Sequence, residues 1–169
     1  MDIDHDYFMG LALKEARHGM ERGEFPVGCI ITDGSRVLAT GRRMKSSSAS
    51  RDEISHAEMA ALQHLYQAAA PGKKWPPLFL YATLEPCLMC FGATLLSPVE
   101  TIIYAYEDVM GGGTGCDRSR LPLLYRDKPL TLIPGVRREE SAGLFKAYFM
   151  NPSNDYWKES LLATYTLDQ

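Results

Sequence analysis

The sequence predicts an α/β fold in which one five-stranded sheet lies between layers of helices. Two observations lead to this prediction. Five apolar runs have the length and the Val, Ile and Leu content of buried strands, and segments with helical periodicity separate most of them. Because helices alternate with strands through the middle of the chain, crossover connections and partly parallel pairing are expected, giving a mixed sheet in a three-layer α/β/α sandwich.

The first third of the chain predicts a helix followed by a hairpin. An apolar stripe at helical spacing, ending before Gly23, consists of Met9, Ala12, Leu13, Ala16 and Met20. Residues 27–32 and 36–40 are expected to form two strands, because the Asp-Gly-Ser sequence at 33–35 is typical of a tight turn. The polar residues 41–55 predict a loop.

The remaining elements follow from the same criteria. Residues 56–69 predict a helix that Pro71 and Gly72 stop, and the glycine-rich segment 111–115 predicts a flexible loop. Further strands are expected at 78–83, 101–106 and 130–133, and further helices at 87–96, 139–150 and 155–166. We interpret residues 1–169 as a single domain, with its C-terminal helices, from about 139 to 169, as a possible lid or interface element.

Composition limits the class of protein. The chain has 169 residues, 46% of them hydrophobic and 23% charged, which is typical of a globular domain and not of a disordered one. Its formal net charge of −3 argues against a surface that is basic throughout. The longest uncharged stretch near the middle of the chain, residues 86–99, is shorter than a membrane span, and residues 1–6 do not resemble a signal peptide. A cytoplasmic protein with reduced thiols is expected.

Two short motifs carry side chains suited to metal chemistry. They are His56-Ala57-Glu58 and Pro86-Cys87-Leu88-Met89-Cys90, each at the start of a predicted helix. Imidazole and thiolates are good zinc ligands, and a helix N-terminus favours the thiolate. Three protein ligands leave a fourth position open, as in catalytic zinc sites, and Glu58 can act beside that position as a general acid–base.

Other interpretations of the same residues remain open at this point. Ser55 and Glu58 match a capping box, in which the carboxylate only satisfies a helix start. Cys87 and Cys90 could form a redox dithiol. A structural zinc site would need a fourth protein ligand, for which Cys29, Cys116 and His64 are the candidates.

The combination of H-x-E with P-C-x-x-C resembles the signature of the zinc-dependent cytidine/deoxycytidylate deaminase superfamily. Segments 24–28, 56–59 and 83–90 are similar to those of bacterial tRNA adenosine deaminases, and the family also includes guanine and cytosine deaminases. The resemblance implies a cytidine-deaminase-like fold and a Zn²⁺ ion held by His56, Cys87 and Cys90. It also implies that Glu58 moves protons between water, the ring nitrogen and the leaving amine.

The resemblance also suggests substrate-binding residues and an assembly. It implies that Val27, Ala57 and Glu85, which belong to the matching segments, bind the substrate. It implies a homodimer as well, for which an apolar surface is available at Leu88, Phe91, Leu95 and Leu96, although these four residues could equally be core.

Two features depart from the tRNA-acting relatives. Arg43 stands where they carry a base-binding asparagine, within a basic cluster formed with Arg42, Lys45 and Arg51. A guanidinium only donates hydrogen bonds, so Arg43 is expected to contact an anionic group of the substrate unless the cluster is simply a solvated loop. Trp157, on the predicted last helix, could cover a small-substrate pocket, as in cytosine deaminases of the superfamily, or pack on the sheet.

The charge of the C-terminal segment decides the substrate expected from sequence. From Glu139 onward there are five acidic and two basic residues, which would repel the phosphates of a nucleic acid. We therefore expect a zinc-dependent hydrolytic deaminase that acts on a free nucleobase, nucleoside or similar small amino-heterocycle. The alternatives are a tRNA wobble-adenosine deaminase and, from another class, a non-catalytic zinc-binding interaction module.

Overall fold

A computed structural model describes residues 3–47 and 51–169 of the chain. The first two helices are α1 (His5–Met20) and α2 (Ala57–Gln67), with strands β1 (Gly28–Thr32) and β2 (Val37–Arg42) between them. Next come β3 (Leu78–Leu84), α3 (Leu88–Leu95) and β4 (Val99–Tyr106). A 3₁₀ turn at Arg118–Arg120 precedes α4 (Leu123–Arg126), β5 (Thr131–Pro134), α5 (Arg138–Met150) and α6 (Leu161–Leu167).

The strands form one mixed sheet in the order β2-β1-β3-β4-β5. The predicted hairpin is present, because β1 pairs antiparallel with β2, and β1 also pairs antiparallel with β3. The crossovers through α3 and the segment before β5 make β3, β4 and β5 parallel. The predicted five-stranded mixed sheet is therefore confirmed.

Apolar side chains fill both faces of the sheet. On one face, α1 places Phe8, Met9, Ala12 and Leu13 against Ile30, Tyr81 and Ile103. On the other face, a larger cluster joins side chains of α2 and α3 to the strands, and α5 adds Phe145, Tyr148 and Phe149 to it. Burial of these side chains stabilises the fold, at about 25 cal/mol per Å² of apolar surface.

The close approach of α2 to the sheet depends on a glycine. A Cβ atom on Gly41 of β2 would lie 2.0 Å from the carbonyl oxygen of Ala57 and 2.6 Å from the amide nitrogen of Ala61. Only a residue without a side chain fits there, and β2 thereby fixes the position of the first turn of α2. This turn carries two of the residues singled out by their motif, His56 and Glu58.

One predicted helix differs in the structure, and two short elements were not predicted. The last helix begins at Leu161 instead of residue 155, because the Ser160 side chain caps it by accepting a hydrogen bond from the amide of Ala163. Residues 156–159 form a turn, so Trp157 precedes the helix. The 3₁₀ turn and α4 lie in a segment where the sequence predicted no element. Of the helices in the described ranges, none has the length and hydropathy needed to cross a bilayer.

Candidate active site

The charged and metal-binding types of side chain that could form a site lie at one edge of the sheet. β2, β3 and β4 all end at this edge, while β1, which runs antiparallel to β3, begins there. Arg43 follows β2, Glu85 and Cys87 follow β3, and Asp108 follows β4. Ligands of α/β proteins bind outside the carboxyl ends of strands, so this edge is where a site is expected.

His56, Cys87 and Cys90 meet at the starts of α2 and α3. His56 is the N-cap of α2 and Cys87 the N-cap of α3, and neither side chain caps its own helix. Both sulfur atoms lie 3.5 Å from His56 Nδ1. Bond lengths of 2.3 Å to sulfur and 2.0–2.1 Å to nitrogen around a tetrahedral zinc ion require about 3.6 Å between these atoms. The donor set therefore fits zinc in both chemistry and spacing.

The two cysteines differ in their protonation. A hydrogen bond from the Cys90 thiol, together with one from His56, lowers the pKa of Cys87 to about 4. The same hydrogen bond and burial raise the pKa of Cys90. Cys87 is therefore a thiolate at neutral pH, the form that binds metal.

A closed, structural zinc site would need a fourth protein ligand. Within the described ranges, the ligand atoms of only three residues come together, those of His56, Cys87 and Cys90. The three candidates for the fourth position lie elsewhere in the fold: Cys29 is buried within β1, His64 Nδ1 contacts the carbonyl oxygen of Thr40 at 2.8 Å, and Cys116 does not join the group. The arrangement thus matches a zinc site with an open position.

Glu58 lies in the first turn of α2 and is only 3% exposed. Among the described residues, its Oε2 atom has no hydrogen-bond partner, which is unusual for a buried carboxylate oxygen. Burial raises the pKa of Glu58 to about 6. The capping-box interpretation does not fit, because the Ser55 hydroxyl donates to Asp52 and α2 is capped by His56 instead of Ser55.

Glu58 lines a pocket of about 470 Å³, part of which is open to solvent. All five residues predicted to bind substrate line it: Val27, Arg43, Ala57, Glu85 and Trp157. The wall also contains residues that sequence reasoning missed, namely Phe25, Leu84, Asp108, Met110, Tyr156 and Leu162. Asp108 could have been noticed as a polar residue just after a buried strand, whereas Tyr156 and Leu162 arrive from the chain's far end without a sequence signal.

Arg43 is built into the wall of this pocket and is 2% exposed. Its guanidinium donates hydrogen bonds to the carbonyl oxygens of Met44 (2.8 Å), Ser55 (2.9 Å) and Asp52 (2.6 Å) and to the Tyr156 hydroxyl (3.3 Å). All four of these hydrogen bonds are made to other groups of the protein. This geometry leaves the predicted contact with an anionic substrate group without support, although Arg43 does border the pocket.

Glu85 holds the glycine-rich segment beside the site. Its carboxylate accepts hydrogen bonds from the Thr114 amide (3.2 Å) and hydroxyl (2.5 Å) and from the Asp108 amide (3.1 Å). Gly113 packs so closely on α3 that a Cβ atom there would lie 2.8 Å from Leu88 Cα. The predicted flexible loop is instead a closely packed one, and its glycines allow contact with the metal-binding helix.

An α/β fold with this three-ligand site and a buried carboxylate beside it is characteristic of zinc-dependent deaminases. The comparisons agree, since the model of the cytidine and deoxycytidylate deaminase zinc-binding region matches residues 2–106. The chain belongs to this family. It is therefore a zinc-binding hydrolase acting on a carbon–nitrogen bond, and the non-catalytic alternative is not supported.

Relatives within the family share most of the chain. A tRNA-specific adenosine deaminase of Bacillus subtilis (strain 168) is 31% identical over 85% of this chain and 88% of its own length. One from Aquifex aeolicus (strain VF5) is 36% identical over 64% of this chain and 70% of its own. A structure from studies of A-to-I editing by tRNA:A34 deaminases at the wobble position of transfer RNA has a TM-score of 0.68 and 31% identity, covering 82% of this chain and 98% of its own.

A structure of guanine deaminase from Nitrosomonas europaea also has a TM-score of 0.68 but only 21% identity, over 88% of this chain and 86% of its own, and shows the fold alone. The expectation of a free nucleobase, nucleoside or similar small substrate is wrong, because relatives with 31–36% identity are tRNA-specific adenosine deaminases.

The charge argument behind that expectation fails for a structural reason. It counted acids from residue 139 onward, but their partners lie earlier in the chain. Glu140 pairs with Arg137 (2.6 Å) and Arg17 (3.2 Å), and Glu139 pairs with Arg138 (3.2 Å). Similarly, Arg51 pairs with Asp155 (2.8 Å). Three of the five acidic residues of the C-terminal segment are therefore paired with arginines that lie outside it.

Proposed function

We propose that the protein is a tRNA adenosine deaminase, which converts an adenosine at the wobble position to inosine and releases ammonia. The observation that carries the proposal is the similarity to tRNA-specific adenosine deaminases, which extends over 85% of the chain. The site geometry supports it, because three metal ligands and one buried acid are what a hydrolytic deamination of an adenine ring requires.

In this mechanism, His56, Cys87 and Cys90 hold a zinc ion. Bound zinc supplies Lewis-acid activation of the water that replaces the amine. Glu58 accepts a proton from that water, and passes protons to the ring nitrogen and to the amine at C6, so that water is added and ammonia leaves. The raised pKa of Glu58 suits a group that must both accept and donate protons near neutral pH.

The other residues of the pocket would hold the purine ring and keep other water away. Val27 and Ala57 are buried apolar residues in its wall, which can contact the faces of a flat purine ring and keep other water away. Glu85 acts on the substrate through the segment it holds, since its carboxylate is already bonded to Thr114 and Asp108. Trp157 lies at the rim, as part of the segment 139–169 that was predicted to be a lid or interface element.

We further propose that the protein works as a homodimer in the cytoplasm. Of the four residues predicted to form the interface, Phe91 and Leu95 are core, but Leu88 and Leu96 are 65% and 56% exposed. Leu96 adjoins exposed Tyr66 on α2, so an apolar surface spans α2 and α3. Light scattering of the wild type and of Leu96→Asp tests this proposal, since a charge at the interface should yield monomers. A wild type that is monomeric at micromolar concentration would contradict it.

An ammonia-release assay over a panel of substrates tests the function. The panel contains an RNA stem–loop with adenosine at the first anticodon position, the same stem–loop with guanosine there, and free adenosine, adenine, guanine and cytosine. We expect ammonia from the adenosine stem–loop alone. Comparable turnover of any free base or nucleoside would refute the proposal.

A further inference from the structure

Trp157 stands between two depressions of the surface. On one side it lines the catalytic pocket with Met110 and Tyr156. On the other side, Trp157 and Met110 also line a second, more open cleft, whose other walls are residues 155 and 158–160. Trp157 is 44% exposed, whereas its neighbour Tyr156 is 4% exposed. The indole therefore lies between the pocket proposed for the target base and the neighbouring cleft.

The backbone holds Trp157 in an unusual conformation. Its φ angle is 55°, in the left-handed region that a bulky residue rarely adopts. Such a conformation persists where the surroundings fix it, and it is common at functional sites. Here the Trp157 carbonyl accepts a hydrogen bond from the Ser160 amide (3.1 Å), next to the cap of α6.

The preceding residues secure the position of the indole. The Tyr156 hydroxyl donates to Glu53 (2.6 Å) and accepts a hydrogen bond from Arg43 (3.3 Å), and the guanidinium groups of Arg43 and Arg51 each lie 5.3 Å from the Tyr156 ring centre. The Arg51 guanidinium also donates to Asp155 at 2.8 Å. Because the two residues before it are held in place, Trp157 loses little conformational freedom when a ligand binds.

We propose that Trp157 is a stacking platform for the nucleotide adjacent to the target adenosine, whose base enters the second cleft. This inference rests on the proposed function, because only a polynucleotide substrate has such a neighbour. Sequence-tolerant stacking of unpaired bases on aromatic side chains is a general mode of single-stranded RNA binding.

The charges that line the second cleft favour a neutral base over a phosphate group as its ligand. Its charged residues are Asp155, which pairs with Arg51, and the oppositely charged Lys158 and Glu159, so the cleft carries no net positive charge. Such a cleft offers no excess of cations to attract a phosphate group, whereas a neutral base can stack on the indole and contact Met110. The sugar–phosphate backbone of the neighbouring nucleotide would then run outside the cleft.

Abasic substrates test the proposal. We compare three stem–loops: one intact, and two in which the nucleotide immediately 5′ or 3′ of the target adenosine lacks its base. For wild type, one of the two abasic RNAs should lose roughly 5- to 150-fold in kcat/KM for inosine formation, the range expected for one stacked base. Trp157→Ala should show the same loss on the intact RNA and no further loss on that abasic RNA. Trp157→Phe should recover most of the activity.

Fluorescence provides a readout that does not depend on altering Trp157. The chain contains two tryptophans, so in the Trp75→Phe, Glu58→Ala protein Trp157 is the only tryptophan, and its emission is observed alone when tryptophan is excited selectively. The intact stem–loop should quench this emission, and the sensitive abasic RNA should quench it much less at saturation. The exposed Tyr7 on α1 serves as a control, since Tyr7→Ala should leave kcat/KM unchanged on all three RNAs.

The outcomes separate the inference from the proposed function. If wild type forms inosine in the stem–loop but Trp157→Ala loses nothing, or loses equally on all three RNAs, the stacking proposal alone is overturned. Equal quenching by the intact and both abasic RNAs overturns it as well. If wild type forms no inosine in any RNA, the proposed function fails first and the stacking proposal falls with it.

Discussion

The Arg43 guanidinium donates a hydrogen bond to the Tyr156 hydroxyl at 3.3 Å, across 113 positions of sequence. This contact joins the end of β2 to the segment before α6, and both residues line the catalytic pocket. The pocket wall is therefore completed by the C-terminal part of the chain. Three carbonyl oxygens that accept from the same guanidinium fix its orientation.

Replacing Arg43 should lower the stability of the fold, and we do not expect its main effect to be on the binding of an anionic substrate group. Arg43→Lys keeps the charge but loses most of the hydrogen bonds to buried carbonyls, so we expect the free energy of unfolding to fall by about 2–4 kcal/mol. Urea unfolding measures this loss, and Arg36→Lys, at a 74% exposed side chain, is the control. A fully stable Arg43→Lys protein whose KM rises and loses its salt dependence would instead support direct contact with a substrate phosphate.

Glu58→Gln should abolish deamination without releasing the metal. The amide has nearly the shape of the carboxylate but cannot accept and return protons, so kcat should fall by at least about 10²–10⁴-fold. Inosine formation under single-turnover conditions measures the loss, and elemental analysis measures the zinc content. Glu100→Gln, at an exposed position of β4, should behave as wild type. Retention of more than a tenth of the activity by Glu58→Gln would remove the proton-transfer role.

Removal of zinc should abolish activity reversibly. Dialysis against a chelator should leave a protein that is inactive until about one equivalent of Zn²⁺ is returned, because two thiolates and one imidazole form the site. Cys87→Ala should not recover, since one ligand is missing, whereas Cys116→Ala should recover fully. Zinc binding by Cys87→Ala with the stoichiometry and affinity of wild type would show that the ion is held elsewhere.

The ion pair between Glu107 and Arg138 predicts part of the acid sensitivity. Hydrogen bonds from Arg138 and Tyr165 lower the pKa of Glu107 from its ordinary value of 4.5 to about 2. A carboxyl group whose pKa is lower in the folded state stabilises the fold above its unfolded-state pKa, and this contribution disappears as the pH falls from about 4.5 towards 2.

Glu107→Gln should therefore be less stable than wild type at about pH 6, and the difference should shrink as the pH approaches about 2.5. Chemical unfolding at a series of pH values measures this convergence. Because the pair is partly exposed, added salt should also reduce the difference at pH 6. A difference that does not change with pH would mean that packing, and not the charge of Glu107, accounts for the effect.

Sequence patterns were sufficient for the sheet and for the group of His56, Cys87 and Cys90 because both depend on local signals. Alternating strands and helices predicted the five-stranded sheet. His56, Cys87 and Cys90 were recognisable because each stands at the start of a helix in a motif of fixed spacing. Glu58 was identified from the same motif, and the structure adds that its Oε2 atom is buried without a partner among the described residues.

Long-range contacts explain what the sequence did not reveal. Tyr156 and Leu162 reach the pocket from the end of the chain, and no local pattern marks them. Arg43 was predicted to meet an anion because its carbonyl partners, spread over residues 44–55, cannot be recognised in a sequence. The tail charge misled for the same reason, since Glu140 and Asp155 also pair with Arg17 and Arg51, which are distant in the sequence.

Site-resolved measurement of inosine in a full-length tRNA tests the central claim most directly. The substrate is a transcript with adenosine at the first anticodon position and further adenosines in the same loop, which serve as internal controls. We predict that wild type converts the first anticodon adenosine to inosine and leaves the others unchanged, while Glu58→Gln converts none. Absence of inosine at that position, with zinc-loaded wild type that releases ammonia from a free nucleobase, would contradict the account.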